Sequence, residues 1–353
     1  MMTTRSASFR RAIWKQILDP TFRSLLVKAF AKGLTIEGFK LRRMRRRPGS
    51  RHVFSCELIL LDNHSGEHRS IELIGKRDTT CAAGKAAREF EAMQLLWDAG
   101  FGLDERFRIP RPVQHFPDLG LILQGKAGGS KLRSYVGRGN SASLSYVRMT
   151  GLWLAKLHNL TVPSPQTCTY VNEIGSLRMF AAALSTDQPD LAAELQRRAA
   201  IVENAFAGFQ HVPATIVHGD FHPDHIFVGE DFVTVIDFER FCVADPARDL
   251  GSFIAHMRNM ACLPGRSSHA ANREADAFLD SYFSATPLIQ RSEVARRIAP
   301  YVALSAFEAL YYVASVLKVS DPERIGTYVR CLQQSELRAI EYATSPVPLR
   351  AAS

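Results

Sequence analysis

The chain has 353 residues, 46% of them hydrophobic and 22% charged, a composition that excludes disorder, collagen-like repeats and internal arrays. Its net charge of +9 is concentrated at one end: residues 1–51 carry 14 Lys and Arg against two acids, a local +12, and the rest is −3. The basic run at 42–47 contains Met44 but no aromatic residue, which argues against a single-strand nucleic-acid groove and for a solvated strand face.

Six cysteines at 56, 81, 168, 242, 262 and 331 lie at least 20 residues apart, so C-x-x-C metal or redox spacing is excluded and free thiols in a reducing compartment are expected. The start lacks the unbroken apolar core of a secretory signal. The most apolar stretch, 299–317, contains Pro300 and Glu308 and reads as a buried helix. A cytoplasmic protein with no membrane partner is the expectation, and the oligomeric state is open.

In chain order, 9–31 has helical character, with Asp19-Pro20 as a cap and first turn between two short helices, so 1–35 reads as a basic helical extension. From about 38 to 77 the pattern is that of strands. Residues 53–61 are followed by turn chemistry at Asp62-Asn63-His64-Ser65-Gly66 and a return strand at 71–76. A helix is predicted over 86–99, with Phe90, Met93, Leu96 and Trp97 on one face and Gly100 as its stop. Ile109-Pro110-Arg111-Pro112 is extended, because a residue before proline is pushed out of the helical region, and 119–124 is a short apolar strand.

Residues 125–130 form a Gly-rich hinge. Beyond it helices are predicted over 143–158, 177–184, 190–207, 249–263, 271–284, 293–318 and 321–342, interrupted by short strands at 226–228 and 233–236. The predicted fold class is α+β: a small antiparallel-sheet lobe at 36–124 and a larger, mainly helical lobe at 125–353.

Chemistry concentrates between 217 and 240, where Asp220 and Asp237 border short apolar strands. Phosphoryl transfer needs one acid to orient and deprotonate an acceptor hydroxyl, and a second to hold a divalent cation against the phosphates. H-G-D-F-H-P-D-H at 218–225 resembles the loop H-G-D-x-H-x-x-N of the aminoglycoside phosphotransferase and choline kinase family. V-I-D-F-E at 235–239 is similar to its metal-binding segment, D-P-A-R-D-L at 245–250 to the D-P-x-x-D-L that follows, and L-A-K-L-H at 154–158 to its L-A-x-L-H helix. The resemblance runs from about 40 to 285.

It implies a bilobal protein-kinase-like fold that transfers the γ-phosphate of ATP, or GTP, to a small-molecule hydroxyl. Asp220 is then the catalytic base, Asp237 a Mg²⁺ ligand, His218 a structural member of the loop and Asp249 its brace. The bland alternatives are loop capping by the first two acids and helix capping by Asp249. The family has Asn, a ligand of a second metal ion, where this chain has His225. A nitrogen ligand suits Mg²⁺ less well, so a single metal ion, or a preference for Mn²⁺, follows, with Asp224 as an alternative ligand.

The resemblance also implies a lysine for the α- and β-phosphates, held by a helical glutamate. Lys76 and Glu89 fit, with Glu91 as the other choice for the acid. No G-x-G-x-x-G is present; Arg47-Pro48-Gly49-Ser50-Arg51 is the expected phosphate cover, Gly49 permitting a tight turn. The adenine is expected beside the main chain of Leu123 and Gly125.

For the acceptor the sequence says less. Residues 125–353 hold 22 bases and 22 acids, so the helical lobe lacks the acidic bias that polycationic acceptors call for. Glu308 shares a helical face with Tyr301, Leu304, Tyr311 and Tyr312 and reads either as an acceptor contact, with Tyr312, or as a carboxylate satisfied by a tyrosine or an arginine. Two rival readings remain: a catalytically impaired, kinase-like nucleotide-binding protein, and a metallo-β-lactamase-type hydrolase built on Asp220, His222, Asp224 and His225. The absence of D-F-G and A-P-E segments argues against a protein acceptor.

Overall fold

The computed structural model describes residues 34–46, 52–78, 84–162, 166–208 and 214–319, with a few single positions outside these ranges. The helices expected over 9–31, most of that at 321–342, and the loop containing Gly49 lie outside the described residues. The chain divides into two compact units, Met1–Asp104 with Arg108–Ala127 and Glu105–Phe107 with Gly128–Ser353.

The first unit is built on strands β1 (Leu34–Arg46), β2 (His52–Asp62) and β3 (His68–Arg77), followed by helix α1 (Lys85–Leu96). After these come β4 (Phe107–Arg108), β5 (Pro112–Phe116) and β6 (Leu121–Gly125). Five of the strands form one antiparallel sheet in the order β1, β2, β3, β6, β5. Along β2 the buried side chains Phe54, Cys56, Leu58 and Leu60 recur every second residue, so one face of the sheet packs with Leu73, Val113, Leu121 and Leu123 into a core. The Asp62 carboxylate closes the β2–β3 turn by accepting the amides of His64 (3.0 Å) and Ser65 (3.3 Å). At the edge of the sheet, Lys40 and Arg42 of β1 face solvent, which blunts an otherwise pairable strand. Helix α1 lays Ala86, Glu89, Ala92, Met93 and Leu96 inward, and ends in a wider turn over Trp97–Phe101 where Gly100 takes φ +105°.

The second unit is mainly helical, as the sequence predicts. It begins with β7 (Ser130–Lys131) and helices α2 (Ser141–His158), α3 (Tyr170–Asp187) and α4 (Ala192–Ala207). Short strands β8 (Thr215–Val217), β9 (Ile226–Val228), β10 (Val233–Val235) and β11 (Cys242–Ala244) follow, then α5 (Ala247–Ala261), α6 (Ser268–Ser284) and α7 (Leu288–Tyr311). Asn140 caps α2 by accepting the Ser143 amide at 2.8 Å. A Thr169–Asn172 capping box starts α3 seven residues earlier than apolar spacing alone predicts. The strands form two small sheets, β4-β10-β9-β7 and β11-β8, with β9 and β10 a hairpin. Among the described residues one helical stretch, Arg291–Val316, is long and apolar enough to cross a membrane, and most of it is buried in this unit.

Helices α5 and α7 meet closely at Gly251, where a Cβ atom would lie 2.5 Å from Tyr301 Cβ and 2.7 Å from its carbonyl carbon. Gly251→Ala therefore forces backbone apart in a packed core. It is expected to destabilise this unit by about 1–3 kcal/mol, read as a lower melting temperature in calorimetry.

Candidate active site

Two loops of the second unit carry the acids singled out in the sequence. Residues 218–225 run from β8 to β9, and residues 236–241 run from β10 to β11. A hydrogen bond from the Ile236 amide to the His225 carbonyl, 2.9 Å, ties the loops together. In each loop the residue after the acid is buried. Phe221 stacks on Trp153 with ring centroids 5.8 Å apart, and Phe238 packs against Trp153 and His218. These anchors hold Asp220 and Asp237 at the surface of the core, with side chains 26% and 29% exposed, where solute can reach them.

The backbone is forced at both places. Gly219 has φ +80°, and a Cβ there would lie 2.2 Å from the Arg240 carbonyl oxygen, so this position admits glycine only. Asp237 has φ +78°; among the described residues only Lys318 shares that left-handed conformation without being glycine. Such a conformation is uncommon outside glycine, and a short polar side chain such as aspartate adopts it more readily than most.

Behind the first loop stands Asp249, in the first turn of α5 and fully buried. Its carboxylate accepts the amides of His218 (2.7 Å) and Gly219 (2.9 Å) and meets His158 Nε2 at 3.1 Å, while His158 Nδ1 lies 2.9 Å from the Tyr282 hydroxyl. Burial works against this charge, but the His158 hydrogen bond, the nearby histidines and the His218 amide outweigh it, so the carboxyl is held below its ordinary range. The neighbouring charges of D-P-A-R-D-L are also committed: Asp245 pairs with Arg297 at 2.7 Å, and Arg248 pairs with Glu173. His218 Nε2 lies 3.0 Å from the Ile236 carbonyl, and its Nδ1 accepts the Asp220 amide, a single tautomer that bridges the two loops. Burial lowers its pKa, consistent with that neutral form.

His225 sits between the two acids. Its Nδ1 lies 3.0 Å from the Asp220 carbonyl and 3.7 Å from Asp220 Oδ2; its Nε2 lies 3.2 Å from Asp237 Oδ2. Both ring nitrogens thus face acceptors. With one proton donated to the Asp220 carbonyl, Nε2 turns a lone pair toward the Asp237 carboxylate, a disposition satisfied by a second proton or by a cation between the two atoms. A nitrogen and a carboxylate oxygen at that spacing fit two adjacent positions of an octahedral divalent ion, so the residues present are compatible with the metal ion the sequence implies.

In the first unit, Lys76 Nζ lies 2.5 Å from Glu89 Oε1, both buried, while Glu91 is exposed on the same helix. On β6, next to β3, Leu123 turns its side chain into the sheet core and the Gly125 amide is donated to the Arg111 carbonyl at 2.8 Å. In the second unit, Glu308 is partnered by Arg240, three residues beyond Asp237, at 2.7 Å, and Arg240 lies within electrostatic range of Asp220. The tyrosines expected around Glu308 are differently engaged: Tyr301 packs on Phe206 and Tyr311 on Phe180, while Tyr312 opens the turn that follows α7. Sequence reasoning missed His256 of α5, whose ring stacks on His222 at 4.4 Å. The arginine partner that the sequence offered for Glu308 as one of two readings is present, and its identity, Arg240, is what the sequence left open.

Comparison with known proteins bears on the family and the fold. Residues 64–288 match the Phosphotransferase enzyme family. An ethanolamine kinase from Plasmodium vivax superposes with TM-score 0.57 at 13% identity, covering 84% of this chain and 81% of its own. A choline/ethanolamine kinase family protein from Mesorhizobium loti gives 0.56 at 16% identity, covering 92% and 95%. A glucosamine kinase in complex with glucosamine, ADP and inorganic phosphate gives 0.59 at 15% identity, covering 92% and 87%. At such identities the likeness is one of fold, and the fold is the bilobal kinase-like α+β fold. The chain has no match among curated protein sequences.

Lys76→Met leaves the Glu89 carboxylate buried without that cation. It is expected to cost about 3–5 kcal/mol in denaturant unfolding, most of it recovered by adding Glu89→Leu. Asp249 contributes stability above the pKa of an unfolded aspartate, about 3.9, and that contribution is lost as pH falls through its lower folded value. Asp249→Asn is expected to be less stable than wild type at neutral pH by about 1.5–3 kcal/mol, with the gap closing below about pH 4 in a urea series.

Proposed function

Because the chain belongs to the phosphotransferase enzyme family, we propose that it is a small-molecule kinase moving the γ-phosphate of ATP to a hydroxyl of its acceptor. The observation that carries this reading is the placement of Asp220 and Asp237 on either side of His225, with the loop of Asp220 locked from behind by Asp249. A structural brace alone has no need of the left-handed backbone at Asp237. Similar folds belong to proteins named for ethanolamine, choline and glucosamine, all small hydroxyl compounds, and one of them is bound to ADP.

In the proposed reaction Asp220 accepts the proton of the acceptor hydroxyl as its oxygen attacks the γ-phosphorus and the nucleoside diphosphate leaves. Asp237, with His225 Nε2, would hold a divalent ion, Mg²⁺ or Mn²⁺, which when bound supplies charge neutralisation at the phosphates. Lys76, held by Glu89, is assigned to the α- and β-phosphates. The main chain at Leu123 and Gly125 is assigned to the nucleotide's base, and Gly49, outside the described residues, to its phosphates. Most of the acceleration then comes from positioning and fixed charge. Glu308, 35% exposed and oriented by Arg240, is the acceptor contact, with Tyr312 close by in sequence. A cytoplasmic setting suits the free thiols of Cys56, Cys168, Cys242 and Cys262.

Thermal unfolding with ATP or GTP, each with and without Mg²⁺, tests this. At about 100 times its dissociation constant the preferred nucleotide should stabilise the wild type by about 2.7 kcal/mol only when the metal is present. Asp237→Asn should lose that shift. Asp220→Asn should keep it while turnover falls by about 10²–10⁴-fold. Absence of any nucleotide shift, or wild-type turnover in Asp220→Asn, would overturn the assignment.

A further inference from the structure

The catalytic loop carries more imidazole than the proposed chemistry uses. One ligand atom each from Asp220, His222 and His225 lie within 4.8 Å of one another. His222 Nε2 is 3.8 Å from Asp220 Oδ1 and His225 Nδ1 is 3.7 Å from Asp220 Oδ2. Ligands bound at about 2.0–2.2 Å around a tetrahedral ion are about 3.4 Å apart, so each histidine nitrogen stands a few tenths of an ångström from that spacing to one oxygen of Asp220, and the three groups would draw together around a shared ion.

They are also held in place. The His222 ring is stacked between His225, with centroids 3.8 Å apart, and His256, at 4.4 Å. The side chains of His222 and His225 are 13% and 15% exposed, ordered by the fold yet open to a small solute. His222 has a structural task as well, since its Nδ1 accepts the Asp224 amide at 3.3 Å to start the turn Pro223–His225. That task uses His222 Nδ1, while its Nε2 is the atom that faces Asp220.

We propose that Asp220, His222 and His225 form a second cation site, for a late first-row divalent ion of the Zn²⁺ class, whose occupancy takes the base out of service. Two imidazoles and one carboxylate favour such ions over Mg²⁺, which prefers oxygen ligands. The protons balance without loss to solvent. Ligation at His222 Nε2 moves its proton to Nδ1 and gives up the long Asp224 contact. Ligation at His225 Nδ1 moves that proton to Nε2, where Asp237 Oδ2 at 3.2 Å accepts it. His225 Nε2 is then no longer available beside Asp237, so this ion and the one assigned to Asp237 exclude each other. The inhibitory consequence rests on the phosphotransferase reading; the binding does not.

The test is Co²⁺ titration of the metal-free full chain by visible absorbance, displaced by Zn²⁺ and repeated by calorimetry with Zn²⁺ alone. Wild type should take one Co²⁺ with a visible band. His222→Ala and His225→Asn should each weaken binding at least tenfold. Asp237→Asn should keep the band while losing the Mg²⁺-dependent nucleotide shift, and His225→Asn guards against a merely misfolded His222→Ala. No band in wild type, unchanged affinity in both histidine variants, or loss of the band in Asp237→Asn sinks the proposal. A normal band with no nucleotide shift in wild type supports the site and removes only the kinase reading.

Discussion

The pair of hydrogen bonds from the His218 and Gly219 amides to one buried carboxylate is the contact on which the rest of the site depends. A carboxylate is costly to bury, and Asp249 is held in its charged form because donors reach it from two parts of the chain: the loop through the His218 and Gly219 amides, and α2 through His158, whose other ring nitrogen meets the Tyr282 hydroxyl of α6. Each donor is satisfied only if those elements are already in register. The loop that presents Asp220 is therefore fixed by the same event that docks α2 and α6 onto α5. A charged hub of this kind makes the loop rigid without spending the exposed carboxylate on structure.

Around that hub the work is divided between neighbours in sequence. Gly219 lets the chain pass over Arg240, Asp220 faces outward, and Phe221 sinks into the aromatic cluster with Trp153, Phe253 and Phe278. The second loop repeats the scheme with Asp237 and Phe238. His218 joins the loops with one tautomer, and His225 occupies the space between the acids. The order acid then aromatic is thus a packing instruction as much as a motif: the aromatic side chain supplies the burial that lets its neighbour stay at the surface.

Much of this was legible in the sequence, for reasons particular residues make plain. A run of apolar and β-favouring residues marked β2, the turn residues at 62–66 placed the return strand, and helical spacing placed α1 and most helices of the second unit. Lys76 and Glu89 were singled out because the resemblance calls for a lysine at a strand end and a glutamate on the helix after it, and the structure joins the two. What stayed hidden was set by long-range contact. The three-residue strands β8 and β11 are too short to show a period. Glu308 could be placed on its helix but its partner could not, because Arg240 lies 68 positions away and nothing local pairs them. His256 occupies an ordinary helical position, and only the docking of α5 against the loop brings it to His222.

The left-handed backbone at Asp237 has a bearing on descent. At a left-handed position glycine would be the relaxed choice and asparagine an equally tolerated one, so folding alone gives no preference for the carboxylate. In a lineage that still uses the carboxylate, selection opposes a change that folding alone would welcome. Once the need lapses, both pressures point the same way, and this aspartate should be among the first to drift. Its identity in any descendant is therefore a one-letter record of whether the site is still under selection for chemistry.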